Sequence, residues 1–90
     1  MNKHRKIDKH FKIMVNKRSV KILKYRRECH YYENTNEEVC TIELITKIPN
    51  NVLDQSEVVI EIEGETKIKA RWIMHFQQPG LHRYKYIISK

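Results

Sequence analysis

Two glycines, two prolines and two cysteines in 90 residues leave little room for several kinds of protein. With so few glycines there is neither a phosphate-cradling Gly-rich loop nor a dinucleotide-binding fingerprint. No run of 18 apolar residues exists, so no segment reads as a membrane-spanning helix. The N-terminus is charged but has no apolar stretch behind it, which argues against a secretory leader. Two cysteines without such a leader suggest a reducing, cytoplasmic setting. The length suits one domain with one small core.

What is abundant is positive charge. The chain has 18 Lys+Arg against 11 Asp+Glu, a formal net charge of +7. Eleven of the basic residues fall in residues 1–27, where Asp8 is the one acid, giving +10. Residues 28–90 hold seven bases and ten acids, giving −3. A basic third on a near-neutral body is the footprint of a polyanion binder, because each neutralised phosphate releases condensed counterions. Solubility alone would not require that asymmetry. A membrane surface fits less well, since the basic third has no clean apolar face.

The patterning is that of a β-protein. Residues 1–10 read as a basic arm and residues 11–90 as a single β-domain. Residues 11–15 alternate as a first strand, and Asn16-Lys17-Arg18-Ser19 reads as a turn. Val20 to Tyr32 fits neither period throughout. Its β-branched and aromatic content favours one strand with a bulge. Val39 to Ile48 is a strand with Cys40, Ile42, Leu44, Thr46 and Ile48 on one face, ended by Pro49. A single helical turn fits residues 51–56.

The clearest local signal is the pair 57–63 and 66–76 around Gly64. Pairing Glu57 with Arg71, Val58 with Ala70 and Ile60 with Ile68 gathers the apolar residues on one side and opposite charges on the other. The same register sets Ile62 against Thr66. Strict alternation then predicts that Ile68, Ala70, Trp72, Met74 and Phe76 are all buried. Pro79-Gly80 marks a type II turn before a last strand carrying His82, Tyr84, Tyr86 and Ile88 on one face. The expected fold is all-β: a small, partly open barrel or strongly bent antiparallel sheet of five or six strands.

Cys29 and Cys40 face one another if the turn between them is the two residues Asn34-Thr35. The expectation is nonetheless that they stay reduced. No Cys-x-x-Cys or His-x-x-x-His spacing is present, and Cys29-His30 with Cys40 makes a poor metal set because adjacent strand residues point to opposite faces. No metal or cofactor is expected. Nothing in the spacing brings any two of the five histidines together, so acid–base ribonuclease chemistry is a minor alternative.

Residues Val58 to Ile88 resemble the later strands of the PilZ family, whose six-stranded barrel binds cyclic di-GMP. That resemblance implies a barrel. The ligand motifs of the family depart here: Arg5-x-x-x-Lys9 ends in lysine, and Asp54-Gln55-Ser56-Glu57-Val58-Val59 lacks the glycine and falls late in the strand order. The barrel is therefore carried over and the ligand is not.

The expected function is non-enzymatic binding of RNA or single-stranded DNA; no recognition helix points to duplex. Lys3, Arg5, Lys6, Lys9, Lys12, Lys17, Arg18, Lys21, Lys24, Arg26 and Arg27 are the candidate phosphate contacts. Tyr25, Tyr31 and Tyr32 are the candidate stacking platforms. The rival is a protein-interaction module that docks an acidic partner or forms a homodimer through a free strand edge.

Overall fold

The computed structural model describes residues 12–89, and these form one seven-stranded antiparallel sheet that does not close. The strands are β1 (Ile13–Val15), β2 (Arg18–Val20), β3 (Lys24–Tyr32), β4 (Glu37–Thr46), β5 (Glu57–Ile62), β6 (Ile68–Gln78) and β7 (Leu81–Ile88). Their order across the sheet is β2-β1-β5-β6-β7-β4-β3. The two edge strands, β2 and β3, are consecutive in the chain and separated by residues 21–23. The predicted single strand from Val20 to Tyr32 is thus two strands.

Short-range turn chemistry sets most connections. Asn16 and Lys17 both have positive φ, 52° and 66°, and close β1 onto β2 with the two-residue turn whose twist matches that of the strands. Asn16 also ties this turn to β5, because its Oδ1 accepts from the Val59 amide at 2.9 Å. Pro79-Gly80 joins β6 to β7 in two residues, with Gly80 at φ 78°, the value a type II turn needs after proline. Between β4 and β5, the predicted helical turn is a 3-10 turn at Asn51–Asp54, capped by Asn50.

The predicted register of β5 against β6 is observed at Glu57↔Arg71, Val58↔Ala70 and Ile60↔Ile68. It stops there. Ile62 pairs with Ile13 of β1 instead of Thr66. A three-residue strand with two buried side chains thereby covers what would otherwise be a bare edge of β5.

The concave face holds the core. Ile13, Val15, Val20, Ile22, Ile42, Leu44, Val58, Ile60, Ile62, Ile68, Ala70, Tyr84 and Tyr86 are buried there, and Leu53 of the 3-10 turn plugs one end. The plug is held by polar contacts as well as by packing. The Tyr86 hydroxyl donates to the Leu53 carbonyl at 2.6 Å, and the Asn50 amide donates to the Tyr84 hydroxyl at 3.1 Å. At the open side, Glu65 of the β5–β6 turn accepts from the Tyr25 hydroxyl at 3.3 Å and lies 3.7 Å from Arg27. Both partners sit on β3, at the far edge of the sheet, so the sheet is strongly bent.

The prediction for β6 is half overturned. Ala70 and Ile68 are buried, but Trp72, Met74 and Phe76 are 40%, 36% and 53% exposed. The cause is a bulge. Residues Ala70, Arg71 and Trp72 pair with Ile88, Ile87 and Tyr86; the ladder then slips by one, and Met74, His75 and Phe76 pair with Lys85, Tyr84 and Arg83. Ile73 is the extra residue. Past it the faces exchange, because a one-residue shift in a period-two pattern moves every side chain to the other side. Met74 and Phe76 turn outward, and His75, read as outward in the sequence, turns inward. Trp72 keeps the inner face but sits beyond the first paired residue of β5, Glu57, so one flank is uncovered. Ile48 is also exposed, since β4 ends at Thr46 before reaching it.

The bulge yields a test. Deleting Ile73 leaves Trp72, Met74, His75 and Phe76 alternating in their observed directions, so the variant should stay folded within a change of about 1 kcal/mol. Nuclear Overhauser contacts between the His75 and Tyr84 rings check it. Loss of those contacts, with Met74 moving into the core, would show that the bulge does not set the faces.

Candidate nucleic-acid interface

Partners directly opposite in an antiparallel ladder share a face and stand about 5 Å apart. The registers of β6, β7, β4 and β3 therefore lay out the convex surface row by row. One row runs Phe76, Arg83, Ile45, Lys24; the next runs Met74, Lys85, Glu43, Arg26; a third runs Arg71, Ile87, Thr41, Glu28. Five cations stand against two acids in these rows, and Glu57 of β5 lies directly opposite Arg71 at the end of the third. Glu28 is occupied by Arg26 at 3.7 Å, with His30 at 3.9 Å. Lys24, Arg71, Arg83 and Lys85 make no ion pair among the described residues. Arg83 carries a further feature: its Nε is buried with no hydrogen-bond partner. The exposed Phe76 ring lies directly across from it.

This surface is only partly legible in the sequence. Lys24 and Arg26 are among the expected contacts. Arg71, Arg83, Lys85, Phe76 and Met74 are not: Arg71 reads as matched by Glu57 on its hairpin, no local pattern places Arg83 and Lys85 beside Lys24 and Arg26, and the bulge that turns Met74 and Phe76 outward is hidden. Lys12, Lys17, Arg18 and Lys21 are exposed around the β1–β2 corner, and Lys3, Arg5, Lys6 and Lys9 lie outside the described residues. The expected solvated pairing on the β5–β6 hairpin is present in part, as an ion pair of 3.9 Å between Lys67 and Glu61.

The three candidate tyrosines have different surroundings. Tyr25 is half-buried against the core. Partial burial, and then the neighbouring Glu65 carboxylate, push its phenol above the ordinary tyrosine value. Tyr31 and Tyr32 are exposed near the β3–β4 turn, opposite Glu38 and Glu37. The Tyr31 hydroxyl bonds the Asn36 side chain. Neither ring stands beside the cationic rows. Tyr84 and Tyr86 are core.

Two histidines that nothing in the sequence connected do meet. His75 Nε2 and His82 Nδ1 are 3.1 Å apart, so one donates and the other accepts. His75 Nδ1 lies 3.3 Å from Asp54, and its ring stacks on Tyr84 with centroids 4.1 Å apart. This chain of groups ties the 3-10 turn to β6 and β7 beneath the sheet. No serine, cysteine or lysine nucleophile joins it among the described contacts.

Cys29 and Cys40 pair in the register that the Asn34-Thr35 turn implied, and their sulfurs are bonded. The expectation of free thiols is corrected. A one-residue longer turn would have broken the pairing; the observed register keeps Tyr32 opposite Glu37 and every pair behind it in step.

Among the described residues no helix is long and apolar enough to cross a membrane. No family model, no curated protein and no solved structure matches the chain.

Proposed function

We propose that this chain binds nucleic acid without catalysis, with RNA or single-stranded DNA preferred, on the convex face of β3, β4, β7 and β6 together with the basic N-terminal third. The supporting observation is the row that sets the exposed Phe76 ring beside Arg83 and runs on through Ile45 to Lys24, with Lys85 and Arg26 in the next row and Arg71 in the one after. Single strands are held by rings that stack on bases next to cations that track the phosphates. The face suits such a ligand because its cations carry few internal partners. Glu43, between Lys85 and Arg26, subtracts from the local field.

The experiment is a salt titration of a labelled, mixed-sequence single-stranded oligonucleotide, with a duplex of the same sequence alongside. Tight binding at low salt with a steep negative slope, stronger for the single strand, is the expected result. Absence of binding at low salt would overturn the proposal and favour docking of a protein on the free edge of β3, nine residues long.

A further inference from the structure

The β3–β4 hairpin outruns the sheet. The last pair between β4 and β7 is Thr41↔Ile87, so residues 29–32 and 37–40 pair only with each other. A two-stranded ribbon of that kind is marginal in water unless something fastens it. Cys29 and Cys40 face each other at its base with Cα atoms 4.0 Å apart. Glu38 lies two residues before Cys40 and so on the same face. The two sulfurs and a Glu38 carboxylate oxygen all lie within 4.8 Å of one another.

We propose that, when the disulfide is reduced, Cys29, Cys40 and Glu38 form a three-ligand site for a zinc-class divalent cation, with water in the fourth position. The chemistry balances. Two thiol molecules of the glutathione class deliver two electrons and two protons and leave as their own disulfide; the Cys29–Cys40 bond opens to two thiols. The cation then displaces both thiol protons to solvent and is held by two thiolates and one carboxylate. Zinc takes such sulfur and oxygen donors in a tetrahedron, with Zn–S about 2.3 Å, which puts two ligating sulfurs about 3.8 Å apart. Side chains that already face each other across a ladder reach that spacing by rotating about their Cα–Cβ bonds. Glu33 and Glu37, near the same end, raise the local cation concentration. His30 is not part of the set, since it follows Cys29 directly and points to the opposite face. The ion thus fastens the ribbon where thiols are kept reduced, as the disulfide does where they are not.

Cobalt(II) is the probe, because thiolate ligation gives it a charge-transfer band in the near ultraviolet and tetrahedral geometry gives it strong visible bands. The full chain is titrated oxidised, and again after reduction by a phosphine, which takes oxygen from water as it supplies two electrons. One cobalt per reduced chain with both sets of bands, displaced by zinc, is expected, and no charge-transfer band from the oxidised chain. Cys29→Ser and Cys40→Ser should each weaken or abolish that band. Glu38→Gln changes an exposed side chain and leaves the fold in place. Loss of an outer-shell partner already costs about 10–100-fold in metal affinity, so loss of this ligand should cost at least about tenfold. His30→Ala should bind as wild type. Equal binding by oxidised protein, unchanged affinity in Glu38→Gln, or loss of binding in His30→Ala would each overturn the assignment.

Discussion

Tyr86→Ala should remove most of the stability of the domain. The ring is fully buried, and its hydroxyl donates to the Leu53 carbonyl at 2.6 Å, holding the 3-10 plug against the sheet. Truncating a buried aromatic costs about 3–5 kcal/mol in lost transfer energy and cavity. The orphaned carbonyl adds about 1–3 kcal/mol. Total stability for a domain of this kind is about 5–15 kcal/mol. Urea denaturation followed by circular dichroism should show the midpoint collapse, whereas Tyr86→Phe, which orphans only the carbonyl, should lose about 1–3 kcal/mol. Alkali supplies an independent check. Burial raises the Tyr86 phenol above its ordinary value. The folded chain therefore keeps its proton where the unfolded chain gives it up. The stability this contributes is fully present below about pH 10 and falls as pH rises further, by up to about 1.4 kcal/mol per pH unit. Tyr86→Phe should flatten that fall; an unchanged alkaline limb would show that Tyr86 does not cause it.

Replacing Lys24, Arg71, Arg83 and Lys85 together by alanine should lower the salt dependence of oligonucleotide binding by roughly three units, at about 0.7 per phosphate contact on a single strand. None of the four makes an ion pair among the described residues, so the fold should survive. The matching arm variant, with Lys3, Arg5, Lys6 and Lys9 replaced, separates the two basic regions. If the face carries the phosphates, the face variant loses the slope and the arm variant keeps most of it. Phe76→Ala should weaken binding by about 1–3 kcal/mol with little change in slope, as a stacking ring does. Tyr31→Ala and Tyr32→Ala, set among Glu33, Glu37 and Glu38, should change less. A face variant that binds like wild type at every salt concentration would remove the convex surface from the mechanism.

The local signals explain why the two halves of the chain differ in legibility. Ile60, Ile62, Ile68 and Ala70 are buried as their alternation demands. Pro79-Gly80 turns where proline and glycine require, and Cys29 meets Cys40 in the register of their turn. Each depends on residues close in sequence. Trp72, Met74 and Phe76 depart from their alternation because nothing in their own pattern announces a bulge. Whether Ile73 is extruded depends on how β7 lines up against β6 on one side while β5 pairs with it on the other. His75 and His82 face each other only as a result of that slip.

The sequence by itself determined the all-β class, the register of Glu57–Ile60 against Ile68–Arg71, the concentration of positive charge in the first 27 residues and the core positions Ile60, Ile62, Ile68 and Ala70, since strand alternation and turn chemistry act over a few residues. Tertiary structure alone decided that seven strands form one open sheet, that Ile13 caps the edge of β5, and that Arg83, Lys85 and Arg71 join Lys24 and Arg26 on one face. Those outcomes depend on which strands become neighbours. That choice is made by burying Tyr84, Tyr86 and Leu53 against the rest of the core, a requirement that no short stretch of sequence displays.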